Sequence, residues 1–285
     1  MNPVETTPDY LLIGHFTADL WPDGRTLGGT VGYAARTAHA FGIKVAALTS
    51  AATGEPLLDE MRQYAQLVSL PADATTTFEN IYEPSGRKQY VRGIAAPINA
   101  SDIPAAWLKA PLVHFAPIAG EGDPKIAHLF KNSMVMLTLQ GWLRHIGDDG
   151  LVSFKRWFEA DALNAIDIMV YSEEDIVQAP ELEQAFIDNV EHLFITRAER
   201  GGSYYHNGER FEYATPQVEL VQPTGAGDVF AAALLASLPQ LDYNMLAAAR
   251  VAASLGATAV TRDGLEGAPT PQEVQQALAE ARMHV

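Results

Sequence analysis

Cysteine is missing from all 285 residues, which excludes disulfides, thiolate metal sites and a cysteine nucleophile and leaves the redox compartment open. Basic residues are scarce, with 19 Lys and Arg against 35 Asp and Glu, a formal charge of −16. A field of that sign argues against nucleic acid or an anionic membrane surface as the main partner. No apolar run approaches the length of a membrane span, and residues 1–5 carry neither the basic nor the apolar part of a signal peptide, so a cytoplasmic protein is expected. Several catalytic signatures are also missing. No G-x-x-x-x-G-K-[ST], no G-x-G-x-x-G after a strand and no G-x-S-x-G elbow occurs. The eight histidines form no i,i+4 pair with an acid between, and none is expected to be a ligand.

What is present is 48% hydrophobic content without repeats or long linkers, which predicts one α/β domain over residues 1–285 with a projecting piece. The stretch Pro223-Thr224-Gly225-Ala226-Gly227-Asp228 leads into the Ala-rich run 229–236. Two glycines allow a tight turn whose N–H groups converge at a helix start, where anions are favoured. A carboxylate at the lip of such a nest can take a proton from an attacking hydroxyl. The residues also permit a plainer reading, since an Asp in the first helical turn is favoured by the helix dipole alone.

Tyr10-Leu11-Leu12-Ile13 reads as a buried first strand, with Asp19 just beyond it. The turn formers Pro22-Asp23-Gly24 lead to Gly28-Gly29, then a helix over about 33–41 and a strand over 45–48. This βαβ opening predicts a parallel sheet. Residues 75–98 break the alternation and read as a hairpin around Pro84-Ser85-Gly86, either a lid or an edge decoration. Strands are expected at 112–116, 135–139, 166–171 and 193–196, with helical potential at 124–131 and 155–163. Their ends gather Gln140, Ser172 and Thr196, ligand positions by topology. A second hairpin is expected through Asn207-Gly208. Helices are expected at 228–238, 243–257 and 271–283, the last with Thr270, Pro271 and Glu273 as its start signals.

The motif at 223–228, together with Gly28-Gly29 and the closing Gly42 of the first helix, resembles the ribokinase-like (PfkB) carbohydrate kinases. The resemblance implies a three-layer α/β/α fold with a mostly parallel sheet and a small β lid drawn from about 14–27 and 75–98. It implies transfer of the γ-phosphoryl of ATP, with Mg²⁺, to a hydroxyl of a small sugar or polyol. By the same resemblance Asp228 is the base and the amides of Gly225, Ala226 and Gly227 form the anion hole. Asp19, Gly28, Gly29, Tyr33 and Gln140 fall on the substrate side. Thr196, Gly201, Thr224 and Gly264 fall on the nucleotide side, with Arg262 and Gly264 after a strand-like 258–261. Lids of this family often pair between subunits, which makes a homodimer a possibility alongside a monomer.

Several positions depart from the family pattern. Gln222 replaces an acid that helps organise a monovalent-cation site, so such a cation is doubtful here. Ser172-Glu173-Glu174-Asp175 stands where the family has Asn-x-x-Glu, which leaves Asp175 and Glu174 as the acids near Mg²⁺. Ala198 stands in Thr196-Arg197-Ala198-Glu199-Arg200-Gly201 where glycine is usual, and Gln140-Gly141-Trp142-Leu143-Arg144 has lost the acid of the corresponding segment. Trp142 is expected to pack. Two other functions fit the same residues: a ribokinase-fold binding protein without turnover, and a nucleoside kinase.

Overall fold

The computed structural model describes residues 6–22, 24–83 and 86–283. Residues 1–5, Asp23, Pro84, Ser85, His284 and Val285, among them most of the expected turn at Pro84-Ser85-Gly86, lie outside the described residues. The chain opens with β1 (Tyr10–Ile13), β2 (Thr17–Trp21), β3 (Gly24–Gly28), α1 (Gly29–Ala40), β4 (Val45–Ala52), α2 (Leu57–Met61) and β5 (Gln66–Ala72). β6 (Thr77–Glu83) and β7 (Gly86–Gly93) form the expected hairpin. Then follow β8 (Leu112–Phe115), β9 (Met134–Thr138), β10 (Arg144–Ile146), β11 (Val152–Phe154), α3 (Ala160–Leu163), β12 (Ile168–Ser172), α4 (Leu182–Ile187) and β13 (His192–Thr196). The hairpin of β14 (Gly202–His206) and β15 (Glu209–Tyr213) precedes α5 (Ala226–Ser237), α6 (Met245–Ala259) and α7 (Pro271–Arg282).

Nine strands form one sheet in the order β15-β14-β13-β12-β9-β8-β1-β4-β5. Seven of them run parallel, and the β14–β15 hairpin adds an antiparallel edge. In β1 all four residues are buried, as a central parallel strand covered on both faces requires. Tyr10 and Leu12 join the apolar layer built with α1, α5, α6 and α7, whereas Leu11 and Ile13 join the layer containing Trp107, Phe186 and Leu182. That alternation is the strand period, and it yields the three-layer α/β/α architecture. Residues 229–237 of α5 are buried on every side. Its alanines let the sheet, α1 and α6 approach closely, so the helix start is rigidly placed.

A second sheet, β3-β2-β6-β7, here called the lid sheet, is built from the two segments expected to form the lid. Phe78 and Val91 anchor it on Ile118. The chain leaves β1 toward β4 on one side and reaches β8 on the other, so the strand order reverses beside β1, the place where open α/β sheets bind ligands. Glu121 is buried there and accepts the N–H of His15 (2.7 Å), Ile118 (3.0 Å) and Ala119 (2.7 Å). One carboxylate thus ties the loop after β1 to the loop after β8.

Two sequence expectations fail. Residues 258–261 are the end of α6 and its cap, with no strand: Gly256 lets α6 lie against the Ala226 carbonyl, and burial overrides the β-prone Thr-Ala-Val-Thr. Of 155–163 only Ala160–Leu163 is helical. Trp142 packs as expected, against Trp157 at a ring separation of 4.8 Å.

Candidate active site

The N-termini of two helices meet at the open end of the sheet. Neither α1, which starts after Gly28, nor α5, which starts after Gly225, has a side-chain cap, so the first N–H groups of both lack the usual internal partner. Gly225 has φ +90, and a Cβ there would lie 2.3 Å from Cε1 of Tyr33. Only glycine permits both the turn and the ring pressed onto it. Asp228, in the first turn of α5, accepts a 2.6 Å hydrogen bond from the Thr30 hydroxyl of α1. Burial pushes the Asp228 carboxyl up to about 6. Thr30 and the Arg144 guanidinium pull it down, while the charges of Asp19 and Asp175 add to the rise.

Asp19 lies on β2, in the lid sheet, not in a loop. Its Oδ1 accepts from the Thr17 hydroxyl at 2.7 Å. A Cβ on Gly28 would stand 2.3 Å from Asp19 Oδ2, and Gly29, at φ +73, would meet Thr17 Cγ2 at 2.8 Å. The two glycines therefore give the carboxylate its room. Burial raises Asp19, against the Thr17 hydrogen bond and the Arg144 charge. Tyr33 is held far above the usual phenol range by burial and by the charges of Asp228 and Asp19.

Arg144 links these groups. Its Nη1 donates to the Ile118 carbonyl at 2.9 Å, and its guanidinium lies 5.2 Å from the centre of the Phe78 ring. Its charge reaches Asp19, Asp175 and Asp228. One cation thus serves three carboxylates drawn from the lid, the β12 end and the α5 start.

On the β12 side, Asp175 Oδ2 accepts from Ser172 N (2.9 Å) and Oδ1 from Gln140 Nε2 (3.3 Å). Burial raises Asp175, opposed by these two bonds and by Arg144. The Gln140 amide thus holds Asp175, whereas the sequence reading turned it toward substrate hydroxyls. Glu174 is exposed, its N–H on the Ser172 hydroxyl. Glu173 pairs with Arg197 Nε at 3.2 Å and also with Arg200.

The turn after β13 carries Thr196, whose hydroxyl lies 3.5 Å from the Tyr171 carbonyl, and Gly201 at φ +82. Ala198 has φ +48, the left-handed conformation that favours glycine. Thr224 lies at the turn into α5. Gln222 spends its side-chain oxygen on the N–H of Gly264 at 2.5 Å. Gly264 itself has φ +50, and a Cβ there would meet no atom beyond its chain neighbours.

Close approaches and mutual charge effects thus bring together Asp228, Gly225, Tyr33, Asp19, Gly28, Gly29 and Asp175, with Ala226 and Gly227 beside them in the first turn of α5. Thr196 and Gly201 stand beyond β12, and Gly264 is tied to the approach of α5. Sequence reasoning missed Thr30, Arg144 as a charge partner, and Glu121. Thr30 follows a double glycine and Glu121 sits between Gly120 and Gly122, which is the only signal either offers.

Residues 158–272 match the model of the pfkB family carbohydrate kinases. A curated relative, the cytidine kinase of Thermococcus kodakarensis, is 27% identical over 253 residues, covering 80% of this chain and 87% of the relative. Among solved structures, a pyrophosphate-dependent kinase in the ribokinase family, complexed with a pyrophosphate analog and myo-inositol, superposes with a TM-score of 0.78 at 20% identity, covering 94% of this chain and 99% of that one. The Methanocaldococcus jannaschii nucleoside kinase gives 0.72 at 16% identity over 96% and 99% of the two chains. The Thermotoga maritima ribokinase gives 0.76 at 16% over 95% and 99%. These structural likenesses establish the fold. The chain thus has the ribokinase fold, and its residues 158–272 are similar to the pfkB family carbohydrate kinases.

Proposed function

We propose that the chain is a kinase that moves the γ-phosphoryl group of ATP onto a hydroxyl of a small sugar or polyol. The observation that carries this reading is Asp228, a carboxylate pushed up to about 6 and held by Thr30 at the uncapped start of α5. A group with that pKa is largely ionised at neutral pH yet basic enough to accept a proton. Asp228 takes the proton of the acceptor hydroxyl as that oxygen forms its bond to the γ-phosphorus. The bond from γ-phosphorus to the bridging oxygen breaks, and ADP leaves with the electron pair. The amides of Gly225, Ala226 and Gly227 stabilise the charge spread over the transferring group. Asp19 receives hydroxyls of the acceptor, in the space that Gly28 and Gly29 leave, and Tyr33 and Gln140 border that site. On the donor side we assign Thr196, Gly201, Thr224 and Gly264.

The hard oxygen donors of Asp175 and Glu174 suit Mg²⁺, which would neutralise donor phosphate charge when bound. Asp175 keeps lone pairs for a metal-bound water beyond those used by Ser172 and Gln140. Potassium activation is not expected, because Gln222 brings no charge and its oxygen is committed to Gly264. We assign residues 1–285 to a single domain acting in the cytoplasm, either as a monomer or as a homodimer paired through the lid.

A second reading, a nucleoside kinase, is favoured by the cytidine kinase relative. The two are separated by acceptor-dependent ADP release across pentoses, hexoses, inositols and nucleosides, with phosphate release from pyrophosphate run in parallel. Turnover with a sugar or polyol and ATP supports the first reading. Turnover confined to nucleosides replaces it with the second, and turnover confined to pyrophosphate overturns the donor assignment. Silence with ATP still bound indicates a binding protein.

A further inference from the structure

At the opposite end of the sheet, β13 begins with His192 and β14 ends with His206, and the two are direct cross-strand partners. Their rings stack at 4.8 Å with 20° between planes. Glu191 precedes His192, and its Oε1 lies 3.6 Å from His192 Nε2 and 3.7 Å from His206 Nε2. All three donor atoms lie within 4.8 Å of one another. From these contacts we infer that Glu191, His192 and His206 form a binding site for a borderline divalent transition metal such as Zn²⁺, separate from the phosphoryl-transfer cleft.

Two observations support the assignment. The Nδ1 of His192 is 2.8 Å from the Tyr204 hydroxyl. With Nδ1–H donating there, the lone pair is on Nε2, the atom that faces Glu191, and the ring is oriented as outer-shell partners orient metal ligands. Second, zinc at about 2.0–2.1 Å from each ligand wants ligand atoms about 3.3 Å apart. Closing that gap takes up to about 1.5 Å and turns the His206 ring out of its stack on His192, so that both Nε2 lone pairs meet one ion, and the partly exposed His206 and Glu191 side chains leave room for both movements.

Two imidazoles and one carboxylate are a donor set for zinc, nickel or copper, not for the all-oxygen preference of Mg²⁺. Because the two histidines are fourteen residues apart in sequence, no local spacing announces them. A metal here clips β13 to β14 about 13 Å from Thr196, four strand residues away. Its effect is therefore on the stability of the hairpin that carries the 196–201 turn.

The test is calorimetric titration of the EDTA-treated, dialysed full chain with ZnCl₂ in excess Mg²⁺, with the melting temperature followed in parallel. One Zn²⁺ per chain and a melting temperature that rises with zinc are expected. His206→Ala and Glu191→Gln, both at partly exposed side chains, should each weaken binding at least tenfold while melting like the native chain without metal. Tyr204→Phe should cost about tenfold. Absence of one-to-one binding in the native chain, or binding undiminished in both His206→Ala and Glu191→Gln, overturns the site.

Discussion

Two helices of this chain start with an acid at the same place and use it in opposite ways. In α7, Glu273 is the third residue after the Thr270 cap, and in α5, Asp228 is the third after Gly225. Glu273 closes a capping box: its Oε2 accepts the Thr270 N–H at 2.8 Å, and its own N–H reaches the Thr270 hydroxyl at 3.3 Å. Burial alone would raise Glu273, yet the Arg262 guanidinium and the Thr270 bonds outweigh it and hold the carboxyl below its usual range. Asp228 makes no such return. Its cap residue has no side chain, it turns to Thr30, and burial raises it. A helix start that satisfies its own amides is structural, whereas one left open beside a raised carboxylate is poised for an anion and a proton.

The contrast breaks most sharply under substitution. Asp228→Asn is expected to lower kcat by about 10²–10⁴-fold, the range for a lost general base, with ATP binding retained in a titration. Glu273→Ala should leave kcat within about twofold but lower unfolding free energy by about 1 kcal/mol in denaturant titration. Stability should separate the two acids as well. Because Asp228 has a higher pKa folded than unfolded, the native state binds more protons between about 4 and 6, and its ionisation lowers stability as pH rises through that window. Asp228→Asn should therefore raise the melting temperature at pH 8, whereas Glu273→Ala lowers it.

A smaller effect is expected at Asp19. Asp19→Ala should raise KM for the acceptor about tenfold or more, as expected for lost hydrogen bonds to a buried charged group, with little change in KM for ATP. Equal rises in both would remove Asp19 from the acceptor side. Arg144 sharpens the account further. Its charge pulls Asp228 down, so Arg144→Gln should move the acid limb of the kcat/KM profile to higher pH by about one unit. An unmoved limb would show that the guanidinium does not act on the base.

The fold was largely readable because buried parallel strands such as Tyr10–Ile13 are short apolar runs, and because Asn207-Gly208 and the Thr270-Pro271-Glu273 start carry local turn and cap chemistry. Strand β5 was missed: it is an edge strand of mixed exposure with Pro71 inside it, so neither alternation nor apolar length marks it. Residues 258–261 look like a strand in isolation and instead form the end and cap of α6, because α6 packs on α5. At the site, the glycines and Asp228 were visible as a turn. Their reasons were not, since the clash of a Gly28 Cβ with Asp19 and of a Gly225 Cβ with Tyr33 exists only between elements distant in sequence. Arg144 was invisible as a charge partner for the same cause: it lies more than a hundred residues from Asp19.

Direct titration of the Asp228 carboxyl tests the account most closely, by carbon-detected NMR of the aspartate-labelled native chain with the signal assigned by its loss in Asp228→Asn. An inflection near pH 6 is the result predicted by a buried base balanced between Thr30, Arg144 and two neighbouring acids. An inflection at or below about 4, the ordinary aspartate value, would contradict it and return Asp228 to the role that Glu273 plays in α7.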